Sequence, residues 1–265
     1  MLKIIECVPN VSEGRDLRTI EKLANIIRAS QNAQLLDVHV DPDHNRSVFT
    51  IIGTLEGVKR AVYDMVEEAS VAIDLSGHEG VHPRLGAVDV IPFVPVKNAT
   101  IKECVTAAYA LGEDIEKHLH VPVYFYGEAA QDPATRNLAD LRARGYNLKK
   151  HRTAGCTAIG VREYLIAFNV DLVTSDLNVA KKIATAIREK NGGLPGVRAL
   201  GLELTTRKCV QVSMNLVDVK KATPALVEAQ VRALAKKHKV TIAGTELVGL
   251  LPEQVRKAVD LFVTS

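Results

Sequence analysis

Hydrophobic residues recur with period two, then with a helical period, in one order that runs through the first half of the chain and returns in the second. In the first half, strand-like alternation over 3–8, 33–40, 47–53 and 87–94 is interrupted by helical stripes over 17–29 and 55–73. Ile20, Leu23 and Ile27 form one face of the first stripe, and Leu55, Val58, Val62, Met65, Ala69 and Ile73 form a longer face on the second. A helix at 101–118, a strand at 121–126 and a helix at 134–144 are expected to extend this half. After a glycine-bounded stretch at 145–160, strands at 164–172, 197–204, 209–217 and 240–243 alternate with helices at 179–190 and 224–237. Thr223 followed by Pro224 is a helix start, with hydroxyl cap and proline in the first turn. Each half reads β-α-β-β-α-β, so the expected fold is α/β (α+β), two ferredoxin-like subdomains at 1–161 and 162–265 with a ligand cleft between them. The order repeats without a residue-level repeat.

With 265 residues, 47% of them apolar, the chain buries a full core and does not have the composition of a disordered protein. No apolar run reaches membrane-spanning length, and the N-terminus meets Glu6 too early for a signal peptide, so a cytoplasmic protein without a membrane partner is expected. Cys7, Cys104, Cys156 and Cys209 lie far apart in sequence, which suggests neither a disulfide framework nor a thiolate metal site. The net charge of +3 and the absence of tryptophan argue against a nucleic-acid partner. Charge is concentrated locally instead: Arg142, Arg144, Lys149, Lys150, Arg152 and Arg162 form a basic run opposed only by Glu163. Such a run is a solvated face or an attractor for an anionic ligand.

His78, Glu79, Gly80, Val81 and His82 spell HExxH, which binds zinc only when a helix puts both histidines on one face. Gly77 and Gly80 weaken a helix here, and Pro83 drives His82 towards extended backbone. The segment therefore reads as a turn that delivers His82, Pro83 and Arg84 to the mouth of the strand at 87–94, and no metal is expected. A second polar cluster lies between two apolar strands at 37–46, and it contains His39, His44, Asn45 and Arg46.

Several segments together resemble the glutamate formimidoyltransferase (formiminotransferase domain) family: ECVPNVSEG at 6–14, Asn45 with Arg46, HEGVHPRLGAVD at 78–89, VPVYFYGEAA at 121–130, YLIAFN at 164–169 and GTELVG at 244–249. The resemblance implies two α/β halves and transfer of a formimino group from N-formimino-L-glutamate to N5 of tetrahydrofolate, in histidine breakdown. It implies that His82 is the general acid and base. It further implies that Arg46 and Arg84 clamp substrate carboxylates, that Asn10, His39, His44, Asn45 and Tyr126 line the pocket, and that Ala154, Gly155, Cys156 and Thr157 meet the folate. The partners implied are formiminoglutamate and tetrahydrofolate, the latter as co-substrate, with a homodimer as the assembly. The chain departs from the pattern in a shorter segment before Ala154 and in Cys156 itself. It also ends without a cyclodeaminase half, so transfer alone is expected. A diverged member that binds an acidic small molecule, or that hydrolyses formiminoglutamate without folate, is the competing expectation.

Overall fold

The computed structural model describes residues 1–144 and 147–264, which form two compact units. The first comprises Met1–Glu163 together with the C-terminal segment from Glu253, and the second Tyr164–Pro252. The partition differs from a single cut at 161. A helix that the sequence reading omits, α7 (Pro252–Thr264), groups with the first unit, where Asp260 meets Lys97.

The first unit begins with β1 (Ile4–Cys7) and β2 (Asn10–Val11), two pieces of one extended run separated by Val8 and Pro9. Then follow α1 (Leu17–Arg28), β3 (Ala33–Asp41), β4 (Arg46–Thr54), α2 (Leu55–Ala72), β5 (Val88–Lys97), α3 (Ile101–Asp114), β6 (Val123–Gly127), α4 (Leu138–Ala143) and β7 (Thr157–Val161). Helix starts are capped as their sequences require. Asp16 accepts from the Arg18 amide, Thr54 from that of Gly57, and Thr100 forms a reciprocal capping box with Glu103.

Across the sheet the strands run β3, β4, β1 with β2, β5, β7, β6, antiparallel up to β5 and parallel beyond it. The sequence reading misses β7, because 157–161 is a short apolar run within what reads as a connecting stretch. It is the strand that joins β6 to the sheet. On one face Ile5, Cys7, Phe49, Ile51, Ile91 and Phe93 pack against Leu23 and Ile27 of α1, Val62 and Met65 of α2, and Leu111 of α3.

Residues paired directly across strands share a face. Glu6 opposite Ile52, Asn10 opposite Val48 and His39 opposite Val48 therefore stand, with Arg46 and Thr50, on the face away from α1–α3. Towards β6 that second face is closed by a smaller apolar cluster of Leu85, Val90, Tyr126, Leu141, Cys156 and Ala158.

The second unit contains β8 (Ile166–Leu172), α5 (Leu177–Ile187), β9 (Val197–Leu204), β10 (Cys209–Leu216), α6 (Pro224–Lys237) and β11 (Ile242–Val248). Its sheet runs β11, β8, β10, β9, antiparallel throughout. Val170, Ile183, Val212, Val227 and Val231 are central to its core. The strand expected at 240–243 is longer than its apolar signal because Gly244, Thr245 and Glu246 continue the ladder on β8. Among the described residues no helix is long and apolar enough to cross a membrane.

Gly160 of β7 lies opposite Tyr126 of β6, and a Cβ built there falls 2.3 Å from the tyrosine ring. Gly160→Ala should lower stability by about 1–3 kcal/mol, the cost of overpacking a filled site. Denaturant unfolding measures this, and an unchanged midpoint would show that the ring has room to move.

Candidate functional site

The centre of the first sheet's second face is organised by one carboxylate. Val11 pairs with Val88 and Asn10 with Val90, so Asp89 is the extra residue of a bulge in β5. Bulges re-aim side chains, and here the side chain is fully buried. Its Oδ1 accepts the Leu85 amide at 2.7 Å, and its Oδ2 accepts Arg46 Nη1 at 2.7 Å and Arg142 Nη2. Arg46 also donates through Nε and Nη2 to Asn10 Oδ1. Two guanidiniums thus share one buried carboxylate, which leaves the centre positively charged. These cations, with the Leu85 amide, hold the Asp89 carboxyl below its ordinary range despite burial. Burial brings Arg46 down to about 10, where Asp89 works against the loss and Arg142 adds to it.

His82 lies beside this cage. The HExxH segment is not helical: α2 ends at Ala72, a 3-10 turn covers Leu75–Gly77, and the chain from His78 leads in extended and bent backbone to β5. Two contacts meet at His82 Nδ1, the Pro83 carbonyl oxygen at 2.7 Å and Arg46 Nη1 at 3.1 Å. The carbonyl only accepts and the guanidinium only donates, so the two contacts favour opposite tautomers; on the shorter one we assign the proton to Nδ1, which leaves Nε2 with its lone pair. Burial holds the imidazole well below its ordinary 6.5, and Arg46, Arg142 and His44 push the same way. The ring is therefore neutral at neutral pH. The His44 ring lies 5.7 Å from it, centroid to centroid.

The loop carrying His82 is clasped by the β3–β4 turn. Asn45, with φ of 47°, donates through Nδ2 to the Glu79 carbonyl and accepts the Gly14 amide on Oδ1. Arg84 donates to the carbonyls of Asn45, His44 and His82 and contacts His78 Nδ1. A Cβ at Gly80 would fall 2.3 Å from Arg84 Nη2 and 2.5 Å from the His44 carbonyl oxygen, so the loop packs too tightly there for a side chain. Both terminal nitrogens of Arg84, expected to clamp a carboxylate, are engaged by loop groups.

The other expected positions divide. Asn10, His44 and Arg46 are brought together with His82. His39 stands one strand further out on the same face, opposite Val48. Tyr126 is buried above Gly160, and burial raises its hydroxyl to about 12 while Arg162 and Arg142 pull it down.

The four positions expected to meet folate have their backbone amides engaged within the chain. The Ala154 amide donates to His151 Nδ1, Gly155 to the His151 carbonyl, Cys156 to Leu85 and Thr157 to Pro122. The side chains of Ala154, Cys156 and Thr157 are buried as well, and no backbone donor is left over for a ligand. Gly145 and Tyr146, at the start of that stretch, lie outside the described residues.

The basic run is likewise split. Arg142 joins Asp89, Arg144 pairs with Asp132, and Lys149, Lys150 and Arg152 are exposed. Sequence reasoning did not single out Asp89 and placed Arg142 only in the basic run. A lone carboxylate inside an apolar strand was the available signal for Asp89, because a buried charge requires partners.

The chain matches the formiminotransferase domain, N-terminal subdomain, over residues 4–162 and the formiminotransferase domain over 167–265, and it belongs to that family. It is 38% identical to the glutamate formimidoyltransferase of Streptococcus pyogenes serotype M1 over 95% of this chain and 90% of that one. It is also 38% identical to the glutamate formimidoyltransferase of Thermoplasma acidophilum, over 96% and 89%. The formimidoyltransferase-cyclodeaminase of Mus musculus is 36% identical over 95% of this chain, which spans 51% of the mouse protein.

Two predictions follow from the cage and from Glu6. Asp89→Asn leaves two buried guanidiniums without a counter-charge and should cost about 3–5 kcal/mol in unfolding experiments. A loss under about 1 kcal/mol, the range of exposed pairs, would mean that the cage is solvated. Glu6 is 5% exposed, and burial raises its carboxyl from 4.5 to about 7 against the pull of Arg162. The folded state then holds a proton that the unfolded chain has released, so this contribution is complete below pH 4.5 and is lost as pH rises through about 7. The melting temperature of Glu6→Gln minus that of wild type should increase from pH 4.5 to 7 and level off above it. A flat difference contradicts the shift.

Proposed function

We propose that the chain transfers the formimino group of N-formimino-L-glutamate to N5 of tetrahydrofolate, with His82 taking and returning the proton. The observation that carries this reading is the setting of His82, whose Nδ1 lies 2.7 Å from the Pro83 carbonyl oxygen beside a positively charged cage, where burial and the neighbouring cations favour a neutral imidazole. The family relationship and the relatives' names support the choice of substrates.

In the reaction the N5 lone pair attacks the formimino carbon, a C–N5 bond forms, and the N5 proton passes to Nε2 of His82. The tetrahedral carbon then breaks its bond to the glutamate nitrogen. That nitrogen takes the proton back from Nε2, so that glutamate leaves and His82 is again neutral.

Arg142 takes over the carboxylate role that the resemblance implies for Arg84. Its Nε–H is buried with no acceptor among the described residues, while its Nη2 is held by Asp89. A substrate carboxylate satisfies that donor and the excess positive charge together. Asn10 and Asp89 act through Arg46 and Arg142 as positioning residues.

His82→Ala should lower kcat by about 10²–10⁴-fold, the range for loss of a general acid–base group, with little change in melting temperature. His78→Ala should cost far less, because His78 serves the loop strap. Activity should persist after chelation. Equal losses from the two substitutions would remove the single-base assignment. The acid limb of kcat/KM should lie below pH 6.5, the ordinary histidine value, because the neutral form is the active one. A limb at or above 6.5 contradicts the cage's effect on His82.

A further inference from the structure

Two side chains of the loop that carries His82 hold it to its neighbours, and one of them titrates. Arg84 Nη1 donates to the Asn45 carbonyl at 3.2 Å, and its Nη2 donates to the His44 and His82 carbonyls, both at 2.9 Å. The same Nη1 meets His78 Nδ1 at 2.5 Å and lies 3.4 Å from Nε2. A guanidinium only donates, so Nδ1 is the unprotonated nitrogen of a neutral His78, whose remaining proton sits on Nε2. His78 also makes a hydrogen bond to the Ser12 backbone, in the turn before α1. It thereby reaches from that turn to the guanidinium that binds both the β3–β4 turn and the His82 carbonyl.

This arrangement admits only the neutral ring. With a proton on Nδ1, an N–H would face Nη1–H at contact distance, and two cations would touch in a partly buried place. The charged groups facing His78 are Arg84 from its own loop and Glu13 and Arg15 from the turn before α1. Glu13 is the single anion among them, and its Oε1 already accepts the Arg15 and Asp16 amides. Burial and Arg84 hold the imidazole below its ordinary 6.5, against the Ser12 hydrogen bond and Glu13. A loop that swings away returns His78 to 6.5, so the open form binds a proton that the closed form refuses, and closure weakens as pH falls below 6.5. Solvent protons reach the ring, since His78 is only partly buried and Glu79 and Gly80 beside it are exposed.

We infer that His78 is a proton-operated latch on the loop that carries His82. Unprotonated, it fixes Arg84 across the carbonyls of His44, Asn45 and His82; protonated, it expels the guanidinium, and the loop parts from the β3–β4 turn. His78 is a positioning residue, which reaches the chemistry only through Arg84 and the placement of His82. The site is thereby switched off in acid by a group other than its base. That consequence for turnover rests on the reading of His82 as the base, whereas the latch itself does not.

Hydrogen exchange reads the latch without substrate. The Val81 amide donates to the Asp43 carbonyl at 3.3 Å, across the seam between the loop and the β3–β4 turn, so its protection factor reports closure. In wild type that protection should fall about tenfold for each pH unit below 6.5, until the closed form itself takes up the proton. His78→Asn keeps an acceptor oxygen near the place of Nδ1 and cannot be protonated, so its protection should stay within twofold between pH 7.5 and 5. His78→Ala has neither acceptor nor charge, and should be poorly protected at both. In turnover, the acid limb of kcat/KM should be steeper in wild type than in His78→Asn, and His78→Asn should lose less activity at pH 7.5 than His78→Ala.

A His78→Asn protein that loosens in acid as wild type does overturns the proposal, since the titrating group is then elsewhere. So does a His78→Ala loop as well protected as wild type at pH 7.5. Should His78→Asn fail to fold, wild type decides with His78→Ala, and wild-type protection that is the same at pH 7.5 and 5 overturns the proposal. Equal acid limbs in wild type and His78→Asn would overturn the effect of the latch on His82. Absence of formimino transfer in a wild-type protein whose loop still opens in acid would refute the transferase reading and leave the latch standing.

Discussion

The candidate site depends on the buried carboxylate of Asp89. A carboxylate in a sheet interior is stable only where cations and amides surround it, and Asp89 gathers Arg46 from β4, Arg142 from α4 and the Leu85 amide of the loop before β5. The consequences extend beyond its own partners. Arg46 is fixed against Asn10, Arg142 is brought onto the face opposite α1–α3, and the loop carrying His82 is tied at its far end. The two guanidiniums then raise the cost of a positive imidazole, and burial adds to that cost, so the histidine remains a base. One bulged residue therefore sets both the geometry and the charge state of the group proposed to carry out the chemistry.

Much of the fold was legible because it is written in periodicity. The stripe from Leu55 to Ile73 and the Thr223–Pro224 start are local signals, and α2 and α6 lie where they point. Two elements were not legible for tertiary reasons. β7 is a short apolar run whose strand character comes from pairing with β5 and β6, and α7 stands outside both repeats of the β-α-β-β-α-β order.

The site was legible in a different measure. Pro83 after His82 shows that HExxH is not a helix, and the chain around it is indeed extended and turning. That Arg84 is a strap and Arg142 a member of the cage could not be read from sequence. Both are arginines near polar loops, and only the position of carbonyls and of Asp89 distinguishes them. The same applies to Ala154–Thr157, whose small residues suggest a ligand loop until their amides are traced to His151, Leu85 and Pro122. Asp89, alone in an apolar strand, was a conspicuous exception to pattern, and exceptions of that kind concentrate at functional sites.

The most direct test of the central claim is the protonation state of His82, observed by nitrogen NMR on histidine-labelled protein, with the His82 signals assigned by their loss in His82→Gln. The account predicts a neutral ring with the proton on Nδ1 and an unprotonated Nε2 at pH 7, titrating only below 6.5. A ring protonated on Nε2, or one that titrates at or above 6.5, would contradict the account of the cage and of the base it prepares.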